Sequence, residues 1–489
     1  MATLKSIATG SIRLPIIVIL GSTGVGKSKL GIELAKKVGG EVISADSMQV
    51  YKGLDIITAK VTAAEQRECK HHMINIVSPL ENFSVVQFRN IALPIISDIS
   101  ARGKIPIIVG GTNYYIESLL WDILVPQKRL DDSESEGTEA RYQETFQTKD
   151  TVAEDVTKEP LSCFKEMVDD PKIGFKRSQN YVNLESAEKN SGQAGISSDI
   201  ASLNNQEYKR LKMIDPIAAS RVHPNDNRKV KRKLQIAEAL GKTPTQVFVE
   251  QQQQEGSDHL GGPLRFTNAL VFWLCSDQSI LDERISKRVE EMLNAGLVAE
   301  ISDFYEEYKK NVLSSKKDSE PYTEGIFQAI GFKEFHNFLT CEKSDEKSHQ
   351  KKLQDCINAL KRVTIRYSKK QKAWIQNRFL KRPQQSSPDL YKLDASCIDK
   401  WYDTVMRPAL EAAETFLCGK ELTLKPVPRI FREPNESAHR QYICKICYNK
   451  LIVGDSTWKA HCKSRKHQKI AAKQRKLQAN CYSNTKSIE

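Results

Sequence analysis

Two kinds of apolar pattern share the first 125 residues. Leu14 to Leu20 (LPIIVIL) and Ile105 to Val109 (IPIIV) are short, unbroken, β-branched runs, as expected of strands buried on both faces. Lys29 to Val38 instead spaces Leu30, Leu34, Ala35 and Val38 along one face of a helix. Val42 to Ala45 predicts a further strand running out into Asp46 and Ser47, and the IPIIV run closes on Gly110-Gly111-Thr112 before a helical pattern through Tyr115, Leu119 and Leu120. Alternating strands and helices predict an α/β fold with a doubly wound parallel sheet and flanking helices. Ligands of such sheets bind beyond the carboxyl ends of the strands. Ser22-Thr23, Asp46 to Gln49 and Gly110 to Thr112 are therefore expected to converge on one crevice.

The pattern then lapses. From Gln127 to about Gln206 the chain is serine-rich and acidic without sustained periodicity (DDSESEGTE, SAEKNSG), which predicts an inserted, lid-like, mainly helical and partly disordered segment. Periodicity resumes at Glu207, with a basic helix after the start signal Asn225-Asp226, a strand at Asn268 to Trp273 and a helix from Ile280 to Leu297 ended by Gly296. Leu353 to Phe379 reads as a long basic helix interleaved with Tyr367, Trp374 and Phe379, suited to an RNA backbone and stacked bases. Lys381 to Asp389 reads as a linker. The expected organisation is a leader (1–14), a catalytic core (15–126), the insertion (127–206), the remainder of the core with RNA-binding helices (207–380), a linker and helix (381–434), and a basic tail module (435–489).

Composition narrows the setting. A chain of 489 residues has room for two or three domains. No apolar run approaches the roughly 20 residues of a membrane span, and the mean hydropathy is −0.48, so no membrane association is expected. Eleven scattered cysteines without a dense framework imply a reducing compartment. Fifteen lysines and arginines against four acids lie between Lys425 and Glu489, so eleven of the net +13 charges sit in the tail, where nucleic acid is the expected partner. Residues 1–15 carry Lys5, Arg13 and no acid, a short and lightly charged approximation to a mitochondrial transit peptide.

Two motifs carry chemistry. "GSTGVGKS" is a P-loop: Gly21, Ser22, Thr23, Gly24, Val25 and Gly26 bring backbone N–H groups round phosphate oxygens, Lys27 adds charge, and the Ser28 hydroxyl reaches Mg²⁺. In the tail, Cys444-x2-Cys447-x13-His461-x5-His467 has the two-Cys, two-His spacing of a structural zinc site, with Cys462 a weaker substitute and Tyr442 and Trp458 as its small core. His71-His72 invites a metal reading but is read as a structural pair, without a carboxylate or cysteine partner assigned to it. The motifs alone leave open a nucleotide kinase, with Asp46 holding Mg²⁺. The hydrogen-bonding stretch after Asp46 and the basic RKVKR, Arg228 to Arg232, lean instead towards group transfer with a diphosphate leaving group.

Taken together, "GSTGVGKS", "ISADSMQVYKGLDIITAK", "HHMINIV", "GGTNYYIESLL", "RVHPNDNRKVKRKLQI", "GIFQAIGFKEF" and "RYSKKQKAWIQNR" closely resemble the tRNA dimethylallyltransferases, from about Leu14 to Phe379, with the appended finger of the eukaryotic branch. The resemblance implies a P-loop holding dimethylallyl diphosphate rather than ATP, and alkylation of N6 of adenosine 37 in the anticodon stem-loop of tRNAs reading codons that begin with U. By resemblance Asp46 is the general base, Thr23 touches the bridging oxygen at the displaced carbon, and Lys27 and Arg232 neutralise the departing diphosphate. The tRNA-binding positions are Asp46, Ser47, Met48, Gln49, Thr112, Arg228, Lys229, Val230, Lys231 and Arg232. Mg²⁺ and a structural Zn²⁺ are the implied cofactors, a monomer the implied state, and cytoplasm and mitochondrion, with the nucleus also compatible, the implied locations. The insertion is longer and more polar than the family's usual lid, Ser22 stands where proline is common, and no glycine precedes Thr58. A relative that prenylates free adenine nucleotides shares the P-loop and the aspartate but needs neither finger nor basic aromatic helix. An RNA-binding finger protein with a decayed P-loop is disfavoured by intact Lys27, Ser28, Asp46 and Arg232.

Overall fold

In the computed structural model, residues 14–122, 206–258, 260–310, 325–341, 346–430 and 440–485 are described. The expected leader up to residue 13 and the insertion from 127 to 205 lie outside them. The described residues form two compact units, the first from residues 14–122 and 254–430, the second from residues 206–253 and 440–485. Residues 206–253 thus group with the tail module, not with the sheet-bearing core to which the sequence reading assigned them.

The first unit is organised by a six-stranded sheet: β1 (Ile16–Gly21), β2 (Gly40–Ser44), β3 (His71–His72), β4 (Ile105–Gly110), β5 (Ala269–Cys275) and β6 (Leu390–Asp394), in the spatial order β3-β2-β4-β1-β5-β6. Every neighbouring pair is parallel. Central β1 shows why its sequence is a continuous apolar run. Ile16, Val18 and Leu20 enter one core with Phe88, Ile116 and Ile375, while Ile17 and Ile19 enter the other with Leu30, Leu34 and Ala413. The helices that supply these faces are α1 (Lys27–Val38), α3 (Val85–Ala101), α4 (Asn113–Leu120), α5 (Gln278–Asn294), α8 (Glu346–Arg378) and α9 (Arg407–Leu417), while the short α2 (Ala63–Glu68) buries no residue and α6 (Leu297–Tyr308) and α7 (Phe332–Leu339) pack in a third core with Ile57 and Leu360.

Three features depart from the sequence reading. Edge strand β6 was not foreseen, because LYKLD buries only Leu390 and Leu393 fully and carries none of the β-branched density of the central strands. Helix α8 starts at Glu346, one polar turn and more before the first apolar periodic residue. The expected linker Lys381–Asp389 is instead a packed segment. Arg382, 1% exposed, pairs with Asp258 at 2.9 Å and lies 4.1 Å over the Trp121 ring, whose Nε1 donates to the Ser386 carbonyl at 2.7 Å. Pro, Gln and Ser composition suggested a linker, and a buried ion pair overrode it.

In the second unit, helices Pro216–Ser220, Asn227–Leu240 and Pro244–Gln252 surround a small core of Leu211, Ala219, Val222, Val230 and Leu234. The tail folds as an antiparallel hairpin, Gln441–Cys444 with Lys450–Val453, followed by helix Asp455–Lys463. It docks on those helices: Gln441 Nε2 donates to the Ser220 carbonyl at 3.0 Å and His223 Nε2 to that of Leu451 at 3.2 Å. The Asn225 N–H bonded to His223 Nδ1 at 3.1 Å fixes the tautomer that allows this donation. Among the described residues no helix is long and apolar enough to cross a membrane.

Candidate active site

β1 delivers the P-loop to the carboxyl edge of the sheet, and α1 leaves it. Gly24 (φ 80°) and Gly26 (φ 97°) hold left-handed conformations, and a Cβ on Gly26 would sit 2.8 Å from the Trp401 ring, so this turn requires glycine. No side chain caps α1 and no acid occupies its first turn, leaving its N–H groups open to an anion. Val25, 2% exposed, anchors the loop in the core. Helix α8 braces it from outside. Ser22 Oγ donates to the Ser368 carbonyl at 2.9 Å, and Gln371 accepts from the Thr23 N–H at 2.8 Å while donating to the Gly111 carbonyl at 2.9 Å.

A cavity of about 420 Å³ opens beside the loop, bounded by Thr23, Lys27 and Ser28, by Asp46 to Gln49, and by Gly110-Gly111. The three strand-end segments expected to converge therefore do. Its far wall is largely apolar, with Ile57, Val61, Ile285, Val289, Met292 and Ile330. Asp46 Oδ1 accepts the Met48 N–H at 2.9 Å, while Oδ2 accepts no hydrogen bond from a described residue. The Ser47 N–H donates to Thr112 Oγ1 at 3.0 Å, tying the two rims together. Gln49 is engaged on both sides, accepting from Ser44 Oγ at 2.9 Å and donating to the Ala59 carbonyl at 3.1 Å, so it braces the loop before Lys60.

The crevice is rich in buried positive charge. Burial pulls the Lys27 ammonium down to about 8, with Asp46 opposing that shift and Arg288 adding to it. Lys27 Nζ donates to the Ser22 carbonyl at 2.8 Å. Burial likewise lowers Arg288, whose Nη1 donates to Thr23 Oγ1 at 3.1 Å. Since Thr23 Oγ1 accepts that bond, its own proton is available to a ligand oxygen. Burial pushes the Tyr367 hydroxyl up to about 12 against hydrogen bonds with Thr112 and Gln371, leaving a neutral phenol on the wall.

Arg288 is the functional residue that the sequence reading missed. It lies on α5 among Leu281, Ile285 and Val289, the buried stripe of that helix, and a cation at that spacing on an apolar face was the available signal. Arg232, assigned its role by resemblance, sits on the Asn227–Leu240 helix of the second unit with Arg228, Lys229 and Lys231. Val230, also expected to meet RNA, is 1% exposed within that unit's core, so its side chain packs instead.

The four tail residues also come together. Cys444 Sγ and Cys447 Sγ lie 3.6 and 3.5 Å from His467 Nδ1, which is 3.1 Å from His461 Nε2, and all four donor atoms fall within 4.8 Å of one another. Two thiols and two imidazoles at such separations fit the edges of a tetrahedron with metal–sulfur bonds near 2.3 Å and metal–nitrogen bonds near 2.0 Å. Cys462 stands outside the cluster. Tyr442 and Trp458 stack beside it, 5.0 Å between centroids and 9° between planes.

An anion cradle facing a carboxylate across an apolar-walled cavity, at the carboxyl edge of a parallel sheet, defines a P-loop-type α/β transferase. Comparison with known proteins makes the class specific. The IPP transferase family matches residues 49–160 and 178–378, and the isopentenyl transferase family matches residues 14–75. The chain is 42% identical over 477 residues to the tRNA dimethylallyltransferase of Homo sapiens, covering 97% of this chain and 89% of that protein. With its namesake from Saccharomyces cerevisiae it shares 32% identity, over 93% of this chain and 91% of the other. A crystal structure of a eukaryotic dimethylallyltransferase acting on tRNA superposes with a TM-score of 0.67 at 29% identity, covering 96% of this chain and 99% of that one. The chain belongs to the IPP transferase family and is a prenyltransferase of the tRNA dimethylallyltransferase type.

Proposed function

We propose that the protein transfers the dimethylallyl group of dimethylallyl diphosphate to N6 of adenosine 37 in tRNAs reading codons that begin with U. The observation that carries the reading is the crevice itself, in which two buried cations share one cavity with a carboxylate and an apolar wall. The diphosphate lies on the α1 N-terminus against Lys27 and Arg288, and the isoprenoid chain against the apolar wall. The adenine amino nitrogen attacks C1, the C1–O bond breaks, and the electron pair leaves with the diphosphate. Asp46 accepts the amino proton, for which its Oδ2 is unengaged. The Thr23 hydroxyl, its oxygen already holding Arg288, donates to the bridging oxygen as negative charge develops there. The Ser28 hydroxyl would hold a Mg²⁺ ion, which would supply charge neutralisation for the leaving diphosphate.

Reaching this cavity requires the target base to leave its stack, at a few kcal/mol that RNA contacts elsewhere offset. The second unit supplies them through Arg228, Lys229, Lys231 and Arg232 and through a tail module closed by Zn²⁺ on Cys444, Cys447, His461 and His467. The test is transfer of label from radiolabelled dimethylallyl diphosphate to unmodified tRNA or to AMP. The reading predicts labelled tRNA, unlabelled AMP and no requirement for ATP. Labelled AMP supports the free-nucleotide prenyltransferase, and strict ATP dependence revives the kinase.

A further inference from the structure

Helix α8 turns its Tyr367, Ser368, Gln371 and Ile375 to the crevice, the P-loop and the core. About 100° round the helix from that stripe, Arg366, Lys370 and Trp374 recur every four residues and are exposed, spread over about 12 Å of axis. The tryptophan is not loosely placed. Its Nε1 donates to Glu117 Oε1 at 2.6 Å, and Glu117, 0% exposed, is held in turn by Arg378 at 2.9 to 3.2 Å. A buried ion pair therefore fixes the edge of an indole that stays 38% exposed. Tyr114, equally exposed on α4, lies 6.1 Å from it between ring centroids at 60°.

Holding a large aromatic rigid while more than a third of it stays in water sacrifices rotamer freedom for incomplete burial, and Arg378 already neutralises Glu117. Position supplies the reason. Tyr114 follows by two residues Thr112, which is bonded to the Asp46–Ser47 rim, and Trp374 follows by two helical turns Tyr367, which lines the crevice. The geometry points to a base-stacking platform for RNA: the Trp374 indole, with Tyr114 beside it, takes the base adjoining the extruded adenosine, and Arg366 and Lys370 meet the flanking phosphates. A protein partner fits less well, because this four-residue series presents cations with no interleaved acid. The platform rests on the RNA-acceptor reading above.

The test compares Trp374→Leu with Trp374→Phe, using anticodon stem-loops made abasic in turn on either side of the target adenosine. Stacking predicts that Trp374→Leu raises the Kd and KM for RNA by about 10- to 100-fold and leaves the KM for dimethylallyl diphosphate unchanged. Trp374→Phe, which keeps a ring but loses the bond to Glu117, stays within about threefold of the wild type. One abasic position should weaken wild-type binding comparably and add less than about twofold to Trp374→Leu, since the two changes remove the same contact. Wild-type affinity in Trp374→Leu, equal losses in both variants, or full additivity with both abasic positions would each overturn the platform. Label transfer by the wild type is measured alongside. Its absence overturns the RNA-acceptor reading and the platform with it, whereas normal transfer with unaltered Trp374→Leu binding overturns the platform alone.

Discussion

The two edges of one parallel sheet treat buried charge in opposite ways. At the amino edge Glu41, 1% exposed, accepts from Arg102 at 2.6 and 2.7 Å, from Lys104 at 2.7 Å and from His72 Nε2 at 2.8 Å. Burial would raise its carboxyl, but these donors outweigh burial and hold it far below the usual carboxylate range. At the carboxyl edge Lys27 and Arg288 donate to the neutral oxygens of Ser22 and Thr23, and burial lowers both. The first cluster is electrostatically complete and fastens β2 to its neighbours. The second is incomplete until an anion arrives, so its binding energy is kept for the substrate. The comparison also places His71-His72 on the structural side: His72 is held by Glu41 of the neighbouring strand β2, and His71 Nδ1 lies 2.9 Å from the carbonyl of Cys69, two residues before it.

Changes at the carboxyl edge should therefore alter chemistry, and changes at the amino edge should alter stability. The largest expected effect is Asp46→Ala, with turnover down by about 10² to 10⁴ and tRNA affinity nearly unchanged, read from single-turnover rates and binding. Wild-type turnover would remove Asp46 from the mechanism. Next, Arg288→Gln should lower turnover by about 10² to 10³ with unfolding unchanged, because it removes a donor at the developing charge. Equal loss in Arg232→Gln and none in Arg288→Gln would reverse the assignment made here.

Glu41→Gln should do the converse, destabilising the fold by about 3 kcal/mol in urea titration while the folded enzyme keeps its turnover. The loss is no larger because Arg102 and Lys104 are 35% and 48% exposed and water can solvate them once the carboxylate is gone. The sign of the pH effect follows. A carboxyl held below its ordinary value of about 4.3 stabilises fully above that pH and loses its contribution as the pH falls, so Glu41→Gln should flatten the acid limb of the stability profile. A smaller change is expected of Lys27. Because burial pulls its ammonium down to about 8, the KM for dimethylallyl diphosphate should be flat below about pH 8 and rise up to about tenfold per unit above it, with proton uptake on binding near that pH. A KM flat to pH 10 would show that the lysine stays charged. Smallest of all, the Cys444→Ser, Cys447→Ser double variant should raise the tRNA KM by about 3- to 10-fold and flatten its salt dependence without changing turnover, since it unfolds a basic module remote in sequence from the crevice.

The central strands and the P-loop were legible because burial on both faces leaves continuous apolar runs and because phosphate binding needs glycines at fixed spacing. Strand β6 was not, since its place depends on pairing with β5 more than a hundred residues earlier, and neither was the packed Arg382 segment, which depends on the still more distant Trp121 and Asp258. Of the candidate site, Lys27, Asp46 and Thr23 could be read from local pattern. Arg288 could not, because KRVEEML looks like any charged amphipathic helix until folding turns one of its cations inwards. Gln371 escaped notice for the same reason, its two bonds joining the P-loop to Gly111 from a helix about 350 residues downstream.

The central claim, that the incomplete cation cluster at the carboxyl edge is the diphosphate site, is tested most directly by calorimetric titration of inorganic diphosphate with Mg²⁺ into the wild type, Lys27→Ala, Arg288→Gln and Arg232→Gln. Affinity should fall by about tenfold or more in Lys27→Ala and Arg288→Gln, as for loss of a charge-assisted hydrogen bond, and stay at the wild-type value in Arg232→Gln. Undiminished binding in both Lys27→Ala and Arg288→Gln would contradict that claim.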